Sequence, residues 1–252
     1  SQTIIQTASC NVVNGIPKIT LGNVNDDYTV WANFTDSLNE SGWYQYHSHG
    51  VEGKDSHDIM RCTGALEGFL SAERVHQHYN LIFDMQEWDR DADYPPATKN
   101  FLIKNLQFTR ESVEAYQDSE FWKSIGLILT QFDGFVQGYQ QKYNQNDQNY
   151  LTELDLWFLQ SEGDMLDIAE IFPNDVQDGS IRPGPTVNKA KKQLFRGKKT
   201  SSSGSKQKSK VTPGEHCSGL IRLLPDYSDL FFAHDSWSSF VELHGELKEY
   251  II

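Results

Sequence analysis

Between Lys189 and Lys210 the chain carries nine of its 22 basic residues and no acidic residue. The middle of that tract, Thr200 to Ser205, contains only Thr, Ser and Gly. Such a stretch has too little apolar surface to offset the entropy lost on ordering it. No packed core can run through it, so it reads as a linker between the part of the chain before it and the part after it. Exposed polar loops are also where proteases nick a chain. The expected organisation is an amino-terminal α+β region over 1–188, a basic, serine-rich, cleavable linker over 189–216, and a short second segment over 217–252.

Charge and hydropathy narrow the class. The 252 residues carry a net charge of −13, and without the tract the remainder would carry −22. A body this acidic argues against nucleic acid as a partner, because phosphate binding needs basic surface. It suits work at low pH, where carboxylates are partly protonated. No apolar run approaches the roughly 20 residues that span a bilayer, so no transmembrane anchor is expected. The chain opens on Ser1 rather than Met, which fits a processed amino terminus.

Local patterns predict the elements. Thr3 to Cys10 reads as a strand, Asn14-Gly15 as a tight turn, and Ile16 to Leu21 as its partner, with Pro17 keeping that partner near an edge. Asp27 to Phe34 is a buried strand or helix start, Asn39 to Gly42 a break, and Trp43 to His49 an alternating strand. Ser71 to Asn80, Asn105 to Gln117 and Leu151 to Gln160 have helical spacing, continued by Glu162 to Glu170. Ser119 stands as a cap before a helix whose Trp122, Ile125, Leu129, Phe132 and Val136 form a core stripe. Gly134 and Gly138 on that helix would admit a close neighbour. A further helix over Phe240 to Tyr250 is expected after the Ser236 to Ser239 cluster.

Several titratable groups invite functional readings. His47 and His49 would face one side of a strand, as chelation needs, but a zinc site takes at least three protein ligands and none follows nearby. They are read as ordinary surface or core histidines, with no metal site. Asp155, Glu162, Asp164 and Asp167 resemble the carboxylates of a glycosidase less than the solvated side of an amphipathic helix. Glu67, set among small residues, is either a buried carboxylate tied to backbone donors or part of a site.

The sharpest chemical signal follows the linker. Cys217 stands at its edge, followed by a strand-like apolar run, a polar turn, and a second apolar run that ends on His234 and Trp237. A thiol at a strand start, beside a removable segment, points to a nucleophile exposed by cleavage. An amino-terminal cysteine carries its own base, since a free α-amino group has a reference pKa of roughly 8.

Cys217 to Phe240 resembles the start of the second chain of the phospholipase B-like family. Gly64-Ala65-Leu66-Glu67-Gly68-Phe69-Leu70, Phe121-Trp122 and Gln131-Phe132-Asp133-Gly134-Phe135-Val136-Gln137-Gly138-Tyr139 carry the likeness upstream. The resemblance implies a lysosomal or secreted amino-terminal-nucleophile hydrolase. Its fold would be a four-layer αββα sandwich of which this chain is an incomplete part, since family members continue beyond the position of Ile252. It implies cleavage before Cys217, with Cys217 and His234 catalytic and Trp237 in the substrate pocket. The substrate would be a phospholipid acyl ester or an N-acyl or other amide, no cofactor is expected, and the remaining carboxy-terminal portion or a second chain would be a partner. The alternative is a non-catalytic, truncated or precursor glycoprotein with a binding role.

Because the family is glycosylated, use of at least one of the sequons at Asn33 and Asn39 is expected. If Cys217 is the catalytic thiol, Cys10 and Cys62 either pair in an oxidising compartment or remain two buried thiols.

Overall fold

The structure, a computed structural model, describes residues 3–22, 27–85, 94–165, 168, 171–172, 218–235 and 245–252. It is mixed α+β and divides into two units, one formed by 1–183 with 245–252 and the other by 184–244.

The first unit is built on a five-stranded sheet. Strands β1 (Ile4–Val13) and β2 (Ile16–Leu21) form a hairpin around Asn14-Gly15. Both turn residues have positive φ, 52° and 74°, the requirement of a two-residue turn whose twist matches the strands. Strand β3 (Val30–Ser37) pairs with β1. After a four-residue helix α1 (Leu38–Ser41) and the left-handed Gly42, β4 (Trp43–Gly50) returns beside β3. The last strand, β7 (Gly245–Ile251), pairs in parallel with β4 and completes the order β2-β1-β3-β4-β7. Pro17 sits in the edge strand β2, where a missing backbone donor is tolerated.

One face of this sheet is covered. Alternate residues Ala8, Cys10, Val30, Ala32, Phe34, Tyr44 and Tyr46 pack against Ile59, Cys62, Leu66 and Leu70 of α2 (Ser56–Leu70). Asp55 caps that helix by accepting from the backbone N–H groups of His57 and Asp58. A disulfide between Cys10 and Cys62 ties the first strand to α2 across a separation of 52 residues. Arg74, from α3 (Ala72–Met85), donates two hydrogen bonds to Asp36 at the end of β3.

Behind α2 lies α5 (Glu120–Lys142), with α4 (Pro96–Ala115) beside it. The neighbour that Gly134 and Gly138 admit is α2, which offers Gly64 and Gly68 in return. A Cβ on Gly64 would overlap the carbonyl of Gln131, and one on Gly68 that of Phe135. One on Gly134 would overlap the carbonyl of Arg61, and one on Gly138 that of Ala65. Two backbones therefore touch along four interleaved glycines. Of the expected stripe on α5, Leu129, Phe132 and Val136 are buried, while Trp122 and Ile125 are half-buried nearer the helix start. Ser119 occupies the cap position but its side chain makes no capping bond.

Helix α6 (Glu153–Gln160) opens with a full capping box between Thr152 and Asp155. Asp155 is not on a solvated face, as the sequence suggested: its Oδ1 also accepts from the hydroxyls of Tyr79 and Tyr94. Glu162 likewise pairs with His78 at 3.2 Å rather than standing in solvent. Asp164 is exposed, and the side chain of Asp167 lies outside the described residues.

The expected helix over Phe240–Tyr250 is not found where that stretch is described; Gly245–Ile251 is a strand. The segment Glu246-Leu247-Lys248-Glu249-Tyr250-Ile251 satisfies both periods locally. The open edge of β4 selects the extended form, because it supplies a ladder of hydrogen-bond partners.

Candidate active site

The described part of the second unit is the antiparallel hairpin of β5 (Ser218–Leu223) and β6 (Leu230–Asp235). Its connection is locally built. The backbone N–H of Leu224 donates to Asp229 O and that of Tyr227 to Leu224 O, with Tyr227 at φ 59°. The Asp226 carboxylate accepts from the hydroxyl and the backbone N–H of Ser228, bonds that hold its pKa below the usual carboxylate value.

The register places His234 opposite Gly219. Paired residues in such a ladder lie about 5 Å apart at Cα. His234, 17 residues from Cys217 in the chain, is thus brought beside the second residue after that cysteine. Among the described residues, an added Cβ on Gly219 would meet nothing within 4 Å. Cys217 and Trp237 lie outside the described residues, as does the whole linker 189–216.

Alternation along this hairpin puts Ile221, Phe232, Leu223 and Leu230 on the face of His234, and Leu220 and Phe231 on the other. All six are exposed, Phe232 to 82%. The face of His234 is apolar on two of its three rungs, whereas the other mixes Leu220, Ala233 and Phe231 with Ser218, Arg222 and Asp235.

In the first unit the remaining sequence candidates have partners. On the sheet face away from α2, His47 Nδ1 lies 2.9 Å from Glu249 Oε2, and the His49 ring stacks on Trp31 at 4.5 Å between centroids. No group of three His, Cys, Asp or Glu able to hold a metal occurs among the described residues. Asn33 stands on β3 between two neighbouring strands, and its Oδ1 accepts from Thr7 Oγ1 at 2.7 Å. Asn39 is exposed in α1.

Glu67 is buried, but its donors are side chains rather than backbone. Lys248 Nζ lies 2.7 Å from Oε1, and the Tyr250 hydroxyl donates to Oε2 at 2.8 Å. Lys248 also reaches Glu246 Oε2 at 3.1 Å. Burial pushes the Glu246 carboxyl up to about 7, and Glu67 adds to the rise while Lys248 opposes it. Burial alone would lower the Lys248 ammonium, but the Glu67 and Glu246 carboxylates outweigh it and hold the pKa above normal. Sequence reasoning missed Lys248 and Tyr250. The available signal was Glu246, Lys248 and Tyr250 at spacing two, which puts all three on one side of a strand.

The segment carrying these features also carries the likeness to known proteins. The phospholipase B family model matches residues 30–252. The phospholipase B-like protein G of Dictyostelium discoideum is 32% identical over 225 residues, covering 86% of this chain and 35% of that protein. The phospholipase B of Crotalus adamanteus is 25% identical over 210 residues, 82% of this chain and 34% of that protein. Phospholipase B-like 1 of Rattus norvegicus is 24% identical over 213 residues, 83% and 34% respectively. The chain spans about a third of the length of these curated relatives. With the family model matching from β3 through the hairpin of His234 to the end of β7, this chain belongs to the phospholipase B family.

Proposed function

We propose that the chain is part of a hydrolase that cleaves acyl ester bonds of phospholipids, or amide bonds, through Cys217 as an amino-terminal nucleophile. Hydrolysis of the His216–Cys217 peptide bond frees the α-amine of Cys217. That amine takes the thiol proton, through a water molecule, and the thiolate attacks the substrate carbonyl. The resulting tetrahedral intermediate collapses to a thioester as the leaving alcohol or amine takes the proton back from the ammonium. Water, deprotonated by the same amine, then attacks the thioester; the acid leaves and the thiol is restored. Before cleavage the nitrogen is an amide and cannot serve as the base, so the uncut chain is inactive.

The observation that carries this reading is the β5–β6 register, which brings His234 beside the residues that follow Cys217. On this reading His234 hydrogen-bonds the thiolate or the bound carbonyl oxygen and Trp237 lines the pocket, as the family resemblance implies. The exposed apolar residues on the face of His234, Ile221, Leu223, Leu230 and Phe232, support a place for the hairpin in a layered αββα sandwich. The names of the relatives, phospholipase B and phospholipase B-like, favour a phospholipid ester, while the thiol chemistry serves an amide equally. Amino-terminal sequencing with intact mass of the natural protein tests the proposal. A fragment beginning at Cys217 is expected; a chain continuous through 216–217 would mean that the amine base never forms, and would favour the binding role.

The family resemblance favours a secreted or lysosomal location; no helix among the described residues is long and apolar enough to cross a membrane. Glycosylation is expected at Asn39 alone. Asn39 is exposed on a short helix, whereas a glycan on Asn33 would stand on the middle strand between β1 and β4. Enzymatic deglycosylation should therefore remove one glycan's mass from the wild type and from Asn33→Gln, and none from Asn39→Gln. A second glycan lost from the wild type would show that Asn33 is used.

A further inference from the structure

Glu67 and Glu246 share one cation, Lys248, between α2 and β7. The three charges sum to −1 in a place where the Glu67 side chain keeps only 7% and Glu246 12% of its exposure. Glu246 Oε1 is buried with no hydrogen-bond partner among the described residues. A buried carboxylate oxygen without a partner is costly when ionised and much less so when protonated. One proton taken up would make the cluster neutral.

The cluster also spans the proposed cleavage point. Glu67 lies before residue 216, and Glu246, Lys248 and Tyr250 lie after it. Of the three cysteines, Cys10 and Cys62 are bonded to each other on the amino-terminal side, so their disulfide cannot join the two sides. The described contacts that join them include the β4–β7 ladder, this cluster, the Tyr46–Tyr250 ring contact, and the His47–Glu249 pair on the opposite face.

We propose that Glu67, Glu246, Lys248 and Tyr250 form a buried, acid-strengthened lock that keeps β7 in the amino-terminal sheet once the backbone between them has been cut. Its use after cleavage rests on the nucleophile reading; the contact and its pH response do not. The groups facing Glu246 are Lys248 and Tyr250 from its own strand, Tyr44 and Tyr46 from β4, and Glu67 from α2. Arg74, bonded to Asp36, lies beyond Tyr44. The sign follows from Glu246. Its pKa is raised in the fold from 4.5 to about 7, so its stabilisation is fully present below 4.5 and is lost as pH rises through about 7. Lys248 stays charged throughout that window, because its pKa is raised as well.

The test cuts the full chain at a specific protease site placed over Ser201–Ser205, which needs neither natural processing nor Cys217. Release of the carboxy-terminal fragment is then followed by size exclusion at pH 5 and pH 8. In the wild type, release is expected to be about tenfold or more faster at pH 8. Glu246→Gln is neutral at both values, and should bring the ratio below about threefold and slow release at pH 8. Lys248→Met, which leaves Glu67 without its cation and at pH 8 sets two buried carboxylates facing each other, should release faster than the wild type at both. Equal release of the cut wild type at the two pH values, or an undiminished ratio in Glu246→Gln, would overturn the lock. Neither result bears on Cys217, and a failure of natural processing at Cys217 would leave this experiment unchanged.

Discussion

Gly138→Val will prevent the first unit from folding to its native packing, and Gly138→Ala will lower its melting temperature by about 10 °C. The reason is a contact between backbones. A Cβ at position 138 of α5 would overlap the carbonyl of Ala65 in α2, and the same holds reciprocally at Gly64, Gly68 and Gly134. A side chain in the way can change rotamer, but a carbonyl inside a helix can move only with the helix. Both helices are pinned. Leu66 and Leu70 on the far side of α2 sit in the sheet core, and Phe132, Val136 and Tyr139 hold α5 in the core it shares with Leu151 and Leu156. Separating them enough for one methyl group would open gaps along the whole contact, at a cost of about 3 kcal/mol or more. For a unit of this size each kcal/mol moves the melting temperature by about 2–4 °C. Gly163 is the control. An added Cβ there meets nothing within 4 Å, so Gly163→Ala should stay within about 0.5 kcal/mol of wild type. Thermal unfolding followed by circular dichroism decides it; a Gly138→Ala protein as stable as Gly163→Ala would mean the helices are not in this contact.

The other large effect concerns Cys217. Cys217→Ala should remove both the thiol and the covalent intermediate, so release of fatty acid from phospholipid vesicles, or from an N-acyl amide, should fall about a thousandfold or more. Cys217→Ser retains a hydroxyl far less acidic than the thiol and should fall in the same range. Fold integrity is checked by the Cys10–Cys62 link and the melting temperature, since both partners of that disulfide lie outside the hairpin. Turnover in Cys217→Ala within tenfold of wild type would sink the thiol mechanism whatever the processing pattern. His234→Ala separates the roles further. If His234 supports the bound carbonyl or thiolate, kcat should drop while the fragment beginning at Cys217 still forms.

The two halves of the lock show how far local reading reaches. The β1–β2 hairpin was legible because Asn14-Gly15 demands a turn within two residues, and β4 because its aromatic alternation spans a whole strand. The close helix pair was half legible. Gly134 and Gly138 announced a neighbour, but nothing in α5 says that the neighbour is α2, whose own glycines lie 70 residues earlier. Asp155 looked like one more solvated carboxylate because the sequence lists charges, not the tyrosines that converge on it from α3 and from the residues just before α4.

The proposal of cleavage-linked chemistry rests on the sequence alone. A lone thiol after an unorderable basic tract, followed by two apolar runs and a histidine, is a local arrangement that composition and order define. The hairpin register then put His234 next to that segment. The fate of Gly245–Ile251 was of another kind. Its charges and apolar residues fit a helix as well as a strand, and the balance was tipped by an open edge on β4 nearly 200 residues away. The same pairing turned Glu67 from an isolated buried carboxylate into the partner of Lys248 and Tyr250. Turns and helix stripes are set by neighbours in the chain; strand pairing and buried charge depend on residues that only folding brings within reach.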